Sequence, residues 1–304
     1  MKKMITALAL LLTAVSVSAQ QTAEEFKARY ERQVGYVGTS GVGVESILDK
    51  WAAAFPEDCD MLEARFSYWL GKSFSSGTVV KPVDKYLGNK PVVTLKDSLG
   101  NDVNYFEDLI FVDTLYARAD QYIDQAISIK PDELKYRFQK LNALLSYEKD
   151  CPDLTLLELS ALIDRDSKSK PAWTYLGEPA GQDLFVSAVQ EYCNALFRLG
   201  STGGYEAFRS ISEKMVKLNP KSTLFLSNLG TYWLVAKNDG KKALNYYGKV
   251  LKINPKDYTA IKNCVLMARK NKDVKLEKKY LPMLIAVTED DMERASAEAR
   301  LKAL

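Results

Sequence analysis

From Thr223 to Pro255 the apolar positions follow a helical rhythm. Leu226, Leu229, Gly230 and Trp233 are spaced three and four apart. After the polar turn Lys237 to Gly240 the spacing returns with Ala243, Tyr247 and Val250, and Pro255 closes the unit. Spacings of three and four put these residues on one face of a helix, so the pattern predicts two short amphipathic helices packed through small and aromatic residues. The same helix ending recurs as Ala53–Asp58, Ile127–Asp132, Val216–Lys221 and Leu251–Lys256, each an apolar run followed by proline and polar residues. Proline stops a helix because it lacks the N–H and crowds the preceding turn, while Ser222 or Asp257 can cap the amides of the next one.

The proline intervals give the organisation. Pro220 and Pro255 are 35 residues apart, Pro131 and Pro220 are 89 apart, and Pro56 and Pro131 are 75 apart. With a helix-pair period of about 34, these correspond to one pair, two pairs with about 21 extra residues, and one pair with about 41 extra. The larger excess holds two β-prone runs, Pro91–Lys96 and Val103–Phe106, flanking the Ser98–Asp102 turn, which predicts a β-hairpin. The smaller one, Asp166 to Gly181, reads as a loop containing Trp173 and Tyr175.

The eight residues named first resemble, in order, the large-apolar, Leu, Gly, aromatic, Ala, aromatic, small-apolar and Pro positions of the tetratricopeptide repeat family, with one extra residue in the turn. Ala119, Ile123, Ala126 and Pro131 fit the second-helix positions of another unit. Leu62, Phe66 and Trp69 fit first-helix positions, with Arg65 where Leu is usual. In the last unit Ile261, Cys264 and Ala268 fit, but Glu277 stands in an Ala position and Pro282 is expected to interrupt the second helix. The stretch before Pro220 slips, with Phe208 and Ser212 at positions that prefer Ala and an aromatic.

The expected fold is therefore all-α, an α-solenoid of about five to six antiparallel helix pairs with a small β-hairpin insert. Its expected divisions are a signal peptide at 1–19, divergent helical repeats at 20–72, the insert at 73–113, repeats at 114–288 with a loop at 166–181, and a capping helix at 289–304. The first pair is expected from Ala23 to Tyr36 and from Val44 to Phe55, joined by the Gly38–Gly43 turn.

The resemblance implies a concave face lined by the first helix of each pair, on which peptides lie. Leu224, Ser227, Asn228, Thr231 and Leu234, then Thr259, Lys262 and Asn263, would look inward. Asn228, Thr231, Lys262 and Asn263 are the partner-binding candidates. Asn228, Lys262 and Asn263 resemble part of the Lys/Asn clamp with which some members hold a C-terminal carboxylate, although the clamp's remaining Lys, Asn and Arg are missing.

The N-terminus points to a compartment. Lys2 and Lys3, an apolar run to Val17, and small residues at Val17-Ser18-Ala19 read as a secretory signal cleaved between Ala19 and Gln20. The apolar run is shorter than the ~20 residues that span a bilayer, and the first cysteine is Cys59, so no lipoprotein cleavage site is present. A periplasmic or otherwise exported chain, possessing no transmembrane segment once the signal is removed, is expected.

Charge is unevenly placed. Residues 219–281 hold 14 Lys or Arg against 4 Asp or Glu, whereas residues 20–218 hold 23 against 30. If the concave face of the C-terminal repeats binds, this basic block should supply a salt-sensitive share of affinity. A surplus of that size could attract anionic polymer, acidic peptide or lipid headgroups, and a solvated helical face in a lysine-rich chain is the plainer explanation of the same block.

Reactive chemistry is scarce. The chain has no histidine, which removes the commonest general base, the Ser-His pairing and His-rich zinc sites. Gly38–Gly43 lacks the Gly-Lys-Ser/Thr of a phosphate loop. Cys59, Cys151, Cys193 and Cys264 allow up to two disulfides in three pairings, with Cys193 and Cys264 in apolar patterns and Cys151 in a loop expected to be exposed. No catalytic residue, metal or cofactor is expected. The favoured reading is a non-enzymatic scaffold binding a protein or peptide of the cell envelope, with no nucleic-acid partner. The alternative is a carbohydrate- or polymer-binding helical protein whose Trp173/Tyr175 loop stacks on sugar rings.

Overall fold

A computed structural model describes residues 21–304. The expected signal segment, with Ala19 and Gln20, lies outside the described residues. The helices run in six consecutive pairs: α1 (Ala23–Val37) with α2 (Val44–Ala54), α3 (Cys59–Ser73) with α4 (Asp113–Ile129), α5 (Leu134–Glu148) with α6 (Asp153–Ser169), α7 (Gln182–Arg198) with α8 (Thr202–Leu218), α9 (Thr223–Val235) with α10 (Gly240–Ile253), and α11 (Tyr258–Lys270) with α12 (Val274–Val287). A thirteenth helix, α13 (Asp291–Lys302), packs on α12. The chain is an α-solenoid of antiparallel helix pairs, tetratricopeptide-like, with a small β insert.

Local chemistry sets the helix boundaries. Thr22 and Glu25 form a reciprocal capping box at α1, with bonds of 3.1 and 3.2 Å. The side chains of Asp239, Asp257, Asp273 and Asp290 accept amide hydrogens at the starts of α10, α11, α12 and α13. Asp257 thus caps as expected, while Ser222 precedes α9 without a side-chain bond. Pro282 departs from expectation, since α12 runs through it to Val287. Its ring is on an exposed position while Leu281 and Leu284 on either side are buried, so packing of the helix's inner face outweighs the one lost backbone bond.

The insert between α3 and α4 is a three-stranded antiparallel sheet, ordered β1 (Phe74–Lys81), β3 (Asp102–Phe111), β2 (Val93–Lys96). The expected hairpin is its β2–β3 portion, closed by Asp97, whose carboxylate accepts the Leu99 and Asn101 amides at 2.8 Å each, with Gly100 at φ 85°. The third strand was not read from the sequence. β1 continues directly from α3 and pairs with β3 from Phe74↔Phe111 to Lys81↔Asn104. This lets α3 and α4 pack together beneath the sheet as one pair.

The second insert is a tiny hairpin between α6 and α7, β4 (Thr174–Tyr175) with β5 (Glu178–Pro179), and α6 extends to Ser169 before it. Three apolar cores follow one another along the array, around Trp51, Phe66 and Ile123, around Phe185, Val189 and Ile211, and around Tyr247, Ile261 and Leu281. Each forms where neighbouring pairs share their faces, as a stacked repeat requires. Among the described residues no helix is long and apolar enough to cross a membrane.

Two residues that break the repeat pattern have specific partners. Glu277, in an Ala position, is 1% exposed and receives Arg269 and Arg300. Ser212 donates to the Phe208 carbonyl at 2.7 Å beside Cys193.

Candidate groove on the first helices of the pairs

Three depressions lie along the first helices of the pairs. One, of about 320 Å³, is lined by Lys27, Tyr30 and Glu31 of α1, Asp60 and Glu63 of α3, and Lys135 of α5. The next, about 550 Å³, lies between α5 and α7. Its wall is Phe138, Tyr192, Leu184 and Ala188, and the hairpin contributes Tyr175. The third, about 340 Å³, is made by α7, α9 and α11, with Gln190, Asn194, Ser227, Asn228, Thr231 and Thr259 on its surface. Because α7 contributes to both of the last two, an apolar depression and a polar one adjoin along it.

The structure places each of the sequence candidates. Asn228 is 8% exposed and exchanges two hydrogen bonds with Gln190 of α7: its amide donates to Gln190 Oε1 at 2.8 Å, and Gln190 Nε2 donates to Asn228 Oδ1 at 3.2 Å. The pair holds two first helices together and presents its edge to the depression. Thr231 Oγ1 lies 3.1 Å from the Tyr247 hydroxyl, whose pKa burial pushes up to about 12, so this phenol remains a neutral hydrogen-bonding group. Lys262 donates to Tyr258 Oη at 2.8 Å and pairs with Glu293 of α13 at 3.0 Å. The Tyr258 bond, followed by the Glu293 carboxylate, raises the ammonium's pKa. Asn263 is half-buried beside it. Asn228 and Thr231 line one depression, whereas the charge of Lys262 is already met within the chain, so the clamp resemblance does not extend to a free cation in the groove.

The basic block occupies another place than the groove reading assumed. Helix α9 carries no lysine or arginine, and α11 carries Lys262, Arg269 and Lys270. The remaining eleven cations of residues 219–281 are on α10, α12 and the turns. None of them lines the depression between α7, α9 and α11, whose lining holds no lysine or arginine and a single carboxylate residue, Asp257. A strong salt dependence is therefore no longer expected of groove binding.

Ser227, also 8% exposed, lines the same depression, and its hydroxyl has no hydrogen-bond partner. That oxygen is sealed from solvent, so it stands behind the surface of the depression and not on it. Gln190 and Asn194, one turn apart on α7, were missed by sequence reading. Aligning the polar i, i+4 pair of α7 with Asn228 and Ser227 of α9 is the signal that could have found them.

The loop aromatics serve the interior. Trp173 is 5% exposed, its ring stacked on Phe185 with centroids 5.9 Å apart, and its indole N–H donates to Asp166 at 3.0 Å. Both conditions deny a sugar the ring face, contrary to the stacking role expected of this loop. Trp173 gives only its narrow exposed margin to a depression shared with Asp166, Pro171 and Gln182, whereas Tyr175 lines the one between α5 and α7. The hairpin is fastened by Glu133, a buried carboxylate accepting from Thr174 Oγ1 (2.9 Å), Leu176 N (2.8 Å) and Gly177 N (3.0 Å). Burial pushes its pKa up, but the bonds from Gly177, Thr174, Lys135 and Leu176 outweigh burial and hold it below the usual glutamate value. A depressed carboxylate stabilises above its unfolded pKa and loses that contribution as pH falls through the folded one. Glu133→Gln should loosen the hairpin by ~1–2 kcal/mol, since the amide keeps one acceptor oxygen where two were used. Faster hydrogen exchange at Leu176 and Gly177, with Trp173 fluorescence little changed, is the expected result.

Cys59, Cys193 and Cys264 are buried and Cys151 is exposed, and all four are free. Burial raises the thiol pKa to about 12 at Cys193 and about 11 at Cys264, so both behave as small apolar groups.

No family model and no curated protein matches the chain. Solved structures to which it is similar include MamA (residues 41 to the end) from Desulfovibrio magneticus RS-1, at 16% identity over 77% of this chain and 96% of that one with a TM-score of 0.35. Pseudomonas aeruginosa pilF is similar at 11% identity over 92% and 100% with a TM-score of 0.36. The TPR domain of P58(IPK) is similar at 11% over 92% and 65% with a TM-score of 0.30. The helix-pair architecture stands on the packing described above.

Proposed function

We propose that this tetratricopeptide-like solenoid is a non-enzymatic interaction scaffold that grips an extended polypeptide segment along the first helices of its pairs. The observation that carries the reading is the depression between α7, α9 and α11, where the Gln190–Asn228 pair, with Asn194 and Thr231 beside it, offers neutral hydrogen bonding. A peptide main chain presents N–H and C=O groups suited to such amides, and the adjoining apolar depression accommodates a side chain. Of the four candidates, Asn228 and Thr231 contact the bound segment, while Lys262 and Asn263 hold the neighbouring helix in place. The partner belongs to the cell envelope, a placement supported by the N-terminal sequence, and the mature chain begins at Gln20 after cleavage behind Ala19.

The test fills the groove without disturbing the core. Leu224→Glu with Thr259→Trp changes two exposed lining residues and should reduce capture of a partner from envelope extract at least tenfold while the helical circular dichroism is unchanged. Normal capture by this variant, with loss of capture when Val80 and Leu95 on the exposed sheet face become aspartate, would place recognition on the insert instead.

A further inference from the structure

The turns α9–α10 and α11–α12 lie side by side at one edge of the solenoid. Lys270 Nζ, at the end of α11, donates to Asn238 Oδ1 in the neighbouring turn at 2.9 Å, and Gly240 at the start of α10 packs against Met267 and Asn271. On this edge Lys241, Lys272, Lys275 and Lys278 are exposed and make no ion pair or hydrogen bond among the described residues. The carboxylates nearby are all engaged. Asp239 and Asp273 accept backbone amides as helix caps, Glu277 is buried under two arginines, and Glu206 is held by Lys237 and Arg209.

Lys241 and Lys275 stand in the first turns of α10 and α12, where the helix dipole disfavours a cation. Their placement therefore works against helix stability. Lys272 sits at φ 55°, a left-handed conformation that side chains rarely adopt. The same two turns are flanked by Val235, 50% exposed at the end of α9, and Val274, 45% exposed at the start of α12.

We propose that this edge docks on an anionic phospholipid bilayer. The complementarity is one of charge type as well as sign. The unpaired cations are all lysine, a point charge on a flexible stem, which follows a diffuse plane of headgroup phosphates; an acidic protein partner would favour the fixed fork of arginine. The two exposed valines belong to the same turns as the lysines, and apolar side chains beside lysines enter the boundary between headgroups and acyl chains. Docking on this edge leaves the inner groove open, so it does not depend on the peptide-binding reading.

The test is sedimentation of the full chain with phosphatidylcholine vesicles made with and without phosphatidylglycerol. Any contribution of the N-terminal apolar run is common to wild type and variants, and the ratio of binding to the two vesicle types isolates the charged edge. Wild type should favour the anionic vesicles, and the preference should fall as salt rises. Lys241→Gln, Lys272→Gln, Lys275→Gln and Lys278→Gln together should reduce it by about fivefold per lysine, on the order of several hundredfold in all, with an unchanged helical spectrum. Val235→Ser with Val274→Ser should weaken vesicle binding and leave binding to polyglutamate unaltered. The proposal is overturned if the quadruple variant keeps the wild-type preference. It is equally overturned if polyglutamate binds more tightly than the vesicles and the valine variant sediments like wild type, which would make the edge a site for an acidic polypeptide.

Discussion

Replacing Arg269 and Arg300 together by methionine should destabilise the C-terminal pair and its cap by about 3–5 kcal/mol, because it strands a buried carboxylate. Glu277 is 1% exposed. Arg300 reaches it from α13 through two bonds of 2.8 and 2.9 Å, and Arg269 reaches it from α11 at 3.0 Å. One carboxylate thus fastens three helices. The Arg300 bond lowers its pKa against the opposing effect of burial, and Arg269 adds to the lowering. In the wild type this contribution is present above the unfolded glutamate pKa of ~4.3 and is lost as pH falls through the depressed folded value.

The double variant reverses the sign. Without cations, burial raises the Glu277 pKa, so the folded state binds the proton more readily and part of the lost stability returns as pH is lowered. Glu277→Gln should cost less, ~1–3 kcal/mol, since the arginines it releases are each more than a third exposed and can be hydrated. Hydrogen exchange in α12 and α13, followed with pH, is the suitable measurement, because a repeat array need not unfold as one unit. Equal protection in the double variant and in Glu277→Gln, at every pH, would show that the buried charge does not govern this end of the array.

Ala243→Trp should cost about 3 kcal/mol or more, the upper end of what overpacking a core position does. Ala243 is fully buried where α10 meets α9. The approach of the two helices is set by Gly230 as well, since a Cβ there would lie 2.5 Å from the Tyr247 ring. An indole at Ala243 has no space into which to turn. Gly248, on the same helix, has no atom within 4 Å of an added Cβ. Gly248→Ala should therefore stabilise, by up to ~1 kcal/mol, through helix propensity alone. Thermal melts of the two variants should move in opposite directions, and an unchanged melting temperature for Ala243→Trp would contradict the helix-pair frame.

The helix-pair frame was legible because its causes are local. Leu226, Leu229, Gly230, Trp233, Ala243, Tyr247 and Val250 announce their faces through a 3.6-residue period, and Pro131, Pro220 and Pro255 end helices for reasons contained in their own backbone. The same holds for the β2–β3 hairpin, whose Asp97-to-Asn101 turn makes its own hydrogen bonds. Pro282 shows where local reasoning stops. The cost of its missing N–H is fixed, but whether a helix bears that cost depends on packing of Leu281 and Leu284 against other helices.

Everything concerning the site depended on contacts distant in sequence. That Asn228 meets Gln190 38 residues away, that Lys262 is neutralised by Glu293 31 residues on, and that Trp173 turns inward onto Phe185 are decided by how the pairs stack. The third strand, β1, likewise depends on pairing with β3 some thirty residues further along. The sequence by itself determined the helix pairs, their order, the two insert positions and the surplus of lysine in residues 219–281, because periodicity, proline geometry and charge are carried by each residue or its near neighbours. Which polar side chains face the groove, which are consumed inside the array, and that the lysines stand mostly outside the groove were decided only by the tertiary structure. A hydrogen bond or ion pair between helices requires both partners to be brought within about 3 Å, and that distance is a property of stacking that no single stretch of chain contains.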